Sequence, residues 1–296
     1  MDIQIKKMDR QLCEQFRILK EENSHGRIVN KFDKVINIEF SCPHQLIAIA
    51  VDNVVSSPCM LKTKDRISFM QLHDSSYIGD AVFFNQEESF RIGMSTVYYE
   101  NASTWYYPLQ FIYLSLGEMR KKDYLLLAYL KEHGKPGGVL EAYLKHRNVQ
   151  GNSSPQSIYN QHYIQLFTQL DKELTVENLL RFIGLGIGLT PSGDDFVTGL
   201  LAVLHCYGMG NEDIKKLLTQ FKAVEFTNRT TVVSYFMIKN MLESNINQAL
   251  YDYLIRCGSA QEVLKIGSTS GTDMLSGVSF GLSYLLKRKE GNVYGN

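Results

Sequence analysis

The sequence predicts an α+β protein in which a mainly antiparallel β sheet or barrel is followed by a mainly α-helical half. Two observations predict this order. Short segments of alternating or β-branched apolar residues fill the first third of the chain, separated by Pro, Gly, Asn and Asp. From about residue 115, apolar residues recur at helical intervals instead. Strands grouped before helices are typical of α+β folds and argue against a doubly wound sheet.

The first half is predicted to open with a short helix over residues 8–20. The alternation of apolar and polar residues in INIEF, at 36–40, then predicts a strand with one buried face. Further β-rich segments bounded by turn-forming residues are predicted at 46–51, 60–64, 67–72, 77–84, 90–93 and 96–99. Their short spacing favours an antiparallel sheet or barrel.

In the second half, the spacing of apolar residues predicts helices around 124–130 and 164–170. We therefore expect a β-rich domain over 1–114 and a helical domain over 115–296. The polar segment 146–157 has the composition of an exposed connection. It would either divide two domains or form a long loop between helices, and the change of periodicity favours a boundary near 115.

The composition of the chain argues against several classes of protein. The chain has 296 residues, of which 44% are hydrophobic and 21% charged, as in globular proteins. Its 31 basic residues balance its 31 acidic residues, so no net positive charge favours nucleic acid or an anionic membrane. The charged first residues lack the apolar core of a secretory signal, and no apolar stretch is long enough to cross a bilayer. We expect a cytoplasmic protein with neither nucleic acid nor membrane as partner. The five cysteines form no CxxC pair, which argues against a disulfide framework and a structural zinc site.

The most informative segment is GLGIGLTPSGDDFVTG, at 184–199. Glycines at 184, 186 and 188 precede TPSGDD, which opens an apolar helix. The N-terminus of a helix exposes N–H groups and a positive dipole, and glycines allow close backbone approach. The segment therefore predicts a site for a phosphate or carboxylate. It is neither a P-loop nor a dinucleotide fingerprint, because no Gly-Lys-Ser/Thr follows and no strand clearly precedes it.

Helix capping is the competing interpretation of this segment. Ser192 and Asp195 have nearly the spacing of a capping box, and Thr190 could instead cap a helix that has Pro191 at its first position. Capping alone leaves three features unexplained: the three upstream glycines, the second aspartate, and Gly199 inside a helix, where glycine costs about 1 kcal/mol relative to alanine.

The pattern recurs later in the chain. SGTDMLSG at 270–277 aligns without a gap with SGDDFVTG at 192–199, and Ser, Gly, Asp and the final Gly are identical. Both copies precede an apolar helix. We interpret them as an internal pseudo-repeat in which the final glycines let two helices cross closely, so that both N-termini face one cavity. A chance match in a Gly- and Ser-rich setting is the alternative.

Three roles are open to the aspartates of these segments: capping, Mg²⁺ ligation against a phosphate, or general-base catalysis. A carboxylate facing a bound phosphate needs a metal or a cation, and Arg229 is the candidate cation. The residues assigned to catalysis are Asp194, Asp195, Asp273 and Arg229, with Asp194 and Asp195 as candidate Mg²⁺ ligands. The residues assigned to substrate binding are Gly186, Gly188, Thr190, Ser192, Gly193, Thr230, Thr231, Ser270 and Gly271.

The string GxGLTPSGDD, at 186–195, resembles the AllH-like family of bacterial proteins, long described as uncharacterised or as a putative carboxylase. The chain departs from the family pattern at Ile187, where many relatives have Pro, and at Val197, where Leu is usual; neither change removes a polar group. Residues 229–231 followed by Ser234 resemble a less specific family feature. The resemblance covers chiefly the helical half.

The resemblance implies a transferase that works as a complex. The family is typified by a subunit of oxamate carbamoyltransferase, in anaerobic allantoin breakdown, a branch of purine catabolism. Its implied partners are an FdrA-type protein, similar to acyl-CoA synthetases, and a third subunit. Together they interconvert oxalurate plus phosphate with oxamate plus carbamoyl phosphate. Every substrate in that reaction is an anion, which agrees with an anion site at the helix starts.

Two other functions stay open at this point. The chain could be a non-catalytic scaffold subunit whose loop binds the FdrA-type partner. It could also be an ATP-dependent carboxylase or kinase-like enzyme, although the P-loop lysine is missing.

Overall fold

A computed structural model describes residues 1–85, 87–149 and 158–294. The chain forms two compact units, Met1–Tyr107 and Pro108–Asn296. The first unit contains the strands and the second contains only helices and their connections among its described named elements. The predicted α+β order is therefore confirmed.

The first unit consists of nine strands and two helices among its described residues. The strands are β1 Asp2–Asp9, β2 His25–Phe32, β3 Val35–Ser41, β4 His44–Ala50, β5 Met60–Thr63, β6 Ala81–Phe84, β7 Ser89–Ile92, β8 Ser95–Tyr98 and β9 Ser103–Trp105. The helices are α1 Gln11–Glu21 and α2 Arg66–Asp74.

These strands form one sheet in the order β5-β4-β3-β2-β6-β7-β8-β1-β9, and β1 also pairs with β5. The additional pairing closes the sheet, because β1 joins both ends of the run from β5 to β8. Most pairs are antiparallel, and the parallel ones are β1 with β8, β1 with β9, and β4 with β5. Alternating residues such as Ile36, Ile38 and Phe40 are buried inside it.

One element predicted from the sequence has the wrong start, and another has the wrong type. The predicted helix at 8–20 begins only at Gln11, because residues up to Asp9 belong to β1, whose Ile3 and Ile5 are buried at period two. The predicted strand at 67–72 is helix α2. The carboxylate of Asp65 accepts the Ser68 N–H at 2.8 Å and so caps that helix, a local signal that outweighs the apolar composition of the segment.

The second unit is helical. Its helices are α3 Leu116–His133, α4 Leu140–His146, α5 Ile158–Lys172, α6 Val176–Leu180, α7 Ser192–Gly208, α8 Glu212–Lys222, α9 Val232–Leu242, α10 Gln248–Ile255, α11 Ala260–Leu264 and α12 Ser270–Tyr294. Helix α3 begins with a capping box between Ser115 and Glu118, where the change of periodicity was expected. Of the predicted connection at 146–157, residues 150–157 lie outside the described residues. No helix in the described ranges combines the length and apolar character needed to cross a membrane.

Helices α7 and α12 lie at the centre of this unit and touch at two glycines. A Cβ built on Gly199 would lie 1.9 Å from the carbonyl oxygen of Met274, and one built on Gly277 would lie 2.0 Å from that of Phe196. The contact is reciprocal: the final glycine of each SGxD segment packs on the backbone of the other helix. The two repeats are therefore a structural pair whose backbones approach at van der Waals distance.

Candidate functional site

The two SGxD segments lie side by side at the N-termini of α7 and α12. The hydroxyls of Thr190 and Ser270 are hydrogen-bonded at 3.0 Å, which joins the loop before one helix to the first residue of the other. Behind this contact, Asp195 and Asp273 are both completely buried. Four of the residues singled out from the sequence thus lie close together: Thr190, Asp195, Ser270 and Asp273.

Asp194 holds the glycine loop to its helix. One carboxylate oxygen accepts the N–H of Gly184 at 2.7 Å, and the other accepts the hydroxyl of Thr230. Burial raises the pKa of Asp194, while the hydrogen bonds from Thr230 and Gly184 oppose that rise. Because both oxygens have protein donors, Asp194 positions the loop and is not free to bind a ligand.

Asp195 is the opposite case, because neither of its carboxylate oxygens has a hydrogen-bond partner among the described residues. Burial is the largest of the effects that raise its pKa well above the usual range, and the charge of Asp273 raises it further. The hydroxyls of Ser270 and Thr190 lie close enough to lower the pKa but do not offset burial. This setting favours the neutral form of the carboxyl over the ionised one.

Asp273, the counterpart of Asp195 in the second segment, has one free oxygen. Its other oxygen, Oδ1, accepts the N–H of Val139 at 2.8 Å, while Oδ2 has no partner in the described chain. Burial raises its pKa to about 6, against the lowering effects of the Val139 N–H and the Ser192 hydroxyl. The serine of each segment therefore faces the aspartate of the other: Ser192 faces Asp273, and Ser270 faces Asp195.

Neither of the capping arrangements considered for the first segment is present. Helix α7 begins at Ser192 after Pro191, and no side chain caps it. Asp195 does not bond back to the helix start, since both of its oxygens lack partners in the described structure. Capping therefore does not account for Asp195.

The glycines of the loop are required by the backbone. Gly184, Gly186 and Gly188 have φ values of 80°, 129° and 98°, a region that favours glycine. A Cβ on Gly184 would also lie 1.8 Å from the carbonyl oxygen of Arg229. Ile187, between the second and third glycines, is 85% exposed, so the middle of this loop faces solvent.

Two of the backbone amides that were expected to bind an anion are already hydrogen-bonded within the chain. The N–H of Gly193 donates to the Leu185 carbonyl at 2.8 Å, and the N–H of Gly271 donates to the Ile266 carbonyl at 3.0 Å. These two glycines instead permit close packing, since a Cβ on Gly193 would lie 2.1 Å from the carbonyl oxygen of Phe182. Their role as anion donors is not supported by this geometry.

The segment around Arg229 borders the same loop. Thr230 donates to Asp194, and the Thr231 hydroxyl donates to the Leu189 carbonyl at 2.5 Å and accepts the Ser234 N–H at the start of α9. The guanidinium of Arg229 is exposed at the end of a 3₁₀ helix, Thr227–Arg229, and makes no ion pair within the described ranges. It is a cation available to a ligand.

Sequence reasoning missed a third loop at this site, residues 134–139. A Cβ on Gly138 would lie 2.1 Å from Asp273 Oδ1, and the following N–H, of Val139, is the donor to that same atom. The backbone N–H of Lys135 donates to the hydroxyl of Thr272, and the side-chain Nζ of Lys135 donates to the Gly267 carbonyl at 3.1 Å. The run GKPGG before α4 was the available signal, because it too is a glycine-rich loop that opens a helix.

The donors for a metal at this site are few. In the described parts of the chain, no three His, Cys, Asp or Glu side chains cluster in a way that could hold a metal ion. Of the two predicted Mg²⁺ ligands, Asp194 is engaged with Gly184 and Thr230, which leaves Asp195. Magnesium binding remains a prediction.

The chemical character of the site is that of two buried carboxyl groups with three unpartnered oxygens. Leaving such atoms without partners costs free energy, and two adjacent carboxyls cannot both ionise in a poorly solvated place without further cost. The site therefore favours a proton, a cation or hydrogen-bond donors of a ligand between the two segments.

Two family models match the chain, one in each unit. Residues 4–104 match the model of the AllH family N-terminal domain, and residues 182–282 match the model described as oxamate carbamoyltransferase subunit AllH. The second match spans the glycine loop, α7 and most of α12, and the two matches together cover about two thirds of the chain. No solved structure matches the chain. The chain belongs to the AllH family.

Proposed function

We propose that this chain is a subunit of an oxamate carbamoyltransferase-like complex and binds a small anionic substrate where the two SGxD segments meet. The reaction is the interconversion of oxalurate plus phosphate with oxamate plus carbamoyl phosphate. The family description supplies the reaction class. The observation that carries the site is the pair of completely buried carboxyls, Asp195 and Asp273, whose free oxygens have no structural task.

The surroundings of the pair suit such a substrate. Arg229 supplies an unpaired cation beside the loop, and the hydroxyls of Thr190 and Ser270 lie at the seam between the two segments. A substrate that carries both an amide and a carboxylate or phosphate matches this mixture, because its N–H groups suit the carboxyls and its anionic end suits Arg229.

The test is phosphate-dependent cleavage of oxalurate by this chain assembled with an FdrA-type protein and the third subunit. We expect carbamoyl phosphate to form only when all three are present, and Asp195→Asn to abolish its formation. Parallel reactions with added Mg²⁺ and with a chelator decide whether the metal is needed. Full activity of the assembly carrying Asp195→Asn would refute the site, and full activity of the partners without this chain would refute the function.

A scaffold function is the second candidate, and one observation favours it. Asp195 and Asp273 are completely buried, and the amides of Gly193 and Gly271, the second residues of α7 and α12, already donate to the carbonyls of Leu185 and Ile266. Calorimetry separates the two functions. A scaffold gives no heat with carbamoyl phosphate, with or without Mg²⁺, but binds the FdrA-type protein tightly, whereas a substrate-binding subunit gives heat that Arg229→Gln weakens.

A further inference from the structure

We propose that Lys135 binds phosphate, one of the two substrates, in a subsite that its ammonium group forms with the hydroxyls of Thr190 and Ser270. This inference rests on the proposed function for its substrate, but the binding of phosphate is a property that the chain alone can show. It gives the site a second cation, which borders the start of α12, whereas Arg229 borders the glycine loop before α7.

The loop before α4 fixes Lys135 at both ends. Its backbone N–H donates to the Thr272 hydroxyl at 3.0 Å, and its side-chain Nζ donates to the Gly267 carbonyl at 3.1 Å. Both partners belong to the stretch of chain that opens α12. The ammonium group therefore has a defined position beside the second SGxD segment.

The carbonyl that holds the ammonium group belongs to a residue next to the seam between the two segments. Gly267 has a φ of 58°, and a Cβ built on it would lie 2.9 Å from Ser270 Oγ. Ser270 Oγ in turn lies 3.0 Å from Thr190 Oγ1. Gly267 thus lies against both the ammonium group of Lys135 and the hydroxyl of Ser270, which places the cation within one residue's width of the seam.

This part of the site is accessible from solvent. Gly137, in the loop that carries Lys135, and Gly267 are exposed. Lys135, Thr190 and Ser270 are half-buried, in contrast to the completely buried aspartates behind them. A small anion can therefore reach the ammonium group and both hydroxyls without any movement of the helices.

The charge of Lys135 is available to a ligand. Lys135 makes no ion pair within the described ranges, and its one acceptor there is the neutral carbonyl of Gly267. Glu141, an acid on the adjoining helix, accepts the N–H of Gly137 at 3.3 Å instead. An ammonium group has three N–H donors, so two remain for a bound anion.

The chemistry of these donors favours phosphate over a carboxylate. An ammonium group is a compact charge, and with two hydroxyls beside it the donors suit the several oxygens of a phosphate. The planar fork of Arg229 suits a carboxylate as well as a phosphate, so Arg229 alone does not distinguish the two substrates. A cation is also needed here, because Asp273 belongs to the same segment and its charge would repel an anion.

Calorimetric titration of the full chain with inorganic phosphate tests the subsite. We expect Lys135→Gln to weaken binding about 10- to 100-fold, because glutamine keeps an N–H donor but loses the charge. Lys135→Arg keeps the charge and should retain most of the affinity. Oxamate, which has a carboxylate and no phosphate, should bind equally to the wild-type chain and to Lys135→Gln. Lys265→Gln is the matched control, because Lys265 is close to Gly267 in the chain but is paired with Glu262 at 2.6 Å.

Four results of this titration would overturn the subsite. The first is that the wild-type chain does not bind phosphate, and the second is that Lys135→Gln binds it with unchanged affinity. The third is that Lys265→Gln or Lys135→Arg loses as much affinity as Lys135→Gln, since the effect would then not depend on a charge at position 135. The fourth is that Lys135→Gln loses as much affinity for oxamate as for phosphate.

The KM values of the two substrates in the assembled complex distinguish the subsite from the reaction. We expect Lys135→Gln to raise KM for phosphate about 10- to 100-fold, with little change in kcat or in KM for oxalurate. Phosphate binding that depends on Lys135, without any cleavage of oxalurate, refutes the proposed reaction and leaves the subsite intact. Cleavage with an unchanged KM for phosphate in Lys135→Gln refutes the subsite and leaves the reaction intact.

Discussion

Replacing Asp273 by asparagine should stabilise the helical unit at neutral pH while it removes activity. Burial raises the pKa of this carboxyl from 3.8 to about 6. Below 3.8 the folded and unfolded chains both hold the proton. Between 3.8 and about 6 only the folded chain holds it, so the free energy of unfolding falls as the pH rises through this window.

The size of the effect follows from that shift. Each unit of pKa difference corresponds to about 1.4 kcal/mol, so ionised Asp273 lowers the free energy of unfolding by about 3 kcal/mol above pH 6. Asparagine has nearly the same shape, keeps an oxygen for the Val139 N–H and never ionises. We expect the variant to match the wild-type chain near pH 4 and to be about 3 kcal/mol more stable near pH 8.

Urea unfolding between pH 4 and pH 8 measures this difference, and the chain supplies two separate probes. Far-ultraviolet circular dichroism reports mainly on the helical unit Pro108–Asn296, whereas the fluorescence of Trp105, the only tryptophan, reports on the first unit. We expect the substitution to move the first signal and leave the second unchanged.

Asp123→Asn is the matched control in the same unit. Asp123 is also buried, but Arg147 donates to it at 2.8 Å and Ser279 at 2.6 Å. Removing one partner of a buried ion pair leaves the other charge unpaired, so this variant should lose about 3–5 kcal/mol. Equal stability of wild type and Asp273→Asn across the pH range, or a variant that is less stable at pH 8, would refute the assignment of Asp273 as an unsatisfied buried acid.

Two further substitutions test the helix crossing and the cation. Gly199→Ala should destabilise the helical unit by more than about 3 kcal/mol, because the new methyl would lie 1.9 Å from the Met274 carbonyl oxygen. Gly117→Ala adds the same methyl to α3 in open space and should instead stabilise by roughly 0.5–1 kcal/mol; thermal unfolding of the two variants compares them, and equal effects would contradict the close crossing. Arg229→Gln should raise KM for the anionic substrate about tenfold or more with little change in kcat or melting temperature, because the guanidinium is exposed and unpaired in the described chain. An unchanged KM would exclude Arg229 from the site.

Much of the fold could be predicted from the sequence, because strands and helices differ in the period of their apolar residues. The period-two pattern at 36–40 corresponds to β3, and the segments at 46–51 and 60–64 correspond to β4 and β5. The closure of the sheet could not be predicted in the same way. It depends on β1, whose pairing with β5 and β8 joins residues far apart in the chain.

The meeting of the two SGxD segments could be predicted because the repeat carries its own packing signal. A glycine four residues after the aspartate has no use on an isolated helix, so its presence in both copies indicates a close neighbour. The partners of each carboxylate could not be predicted. Asp194 and Asp195 are adjacent in sequence, but their side chains project from the helix about 100° apart, and only Asp194 accepts the N–H of Gly184.

The loop at 134–139 shows why a single strong motif is an incomplete guide. The Val139 N–H comes from a loop that lies outside the repeat, yet it distinguishes Asp273 from Asp195. The difference between the two carboxyls therefore depends in part on a third segment, GKPGG at 134–138, that lies outside both copies of the motif.

Burying the carboxyls of Asp195 and Asp273 costs free energy, and nothing in the packing of the helices requires carboxyls at these positions. A neutral side chain at 195 would avoid the cost of burying a carboxyl whose oxygens have no hydrogen-bond partner in the described structure. A structural role would be served by a group that hydrogen-bonds, as Asp194 does with Gly184 and Thr230. Asp273 lowers the free energy of unfolding above its pKa of about 6, and both oxygens of Asp195 are buried without a partner in the described structure; two such acids are better explained by what they do to a ligand.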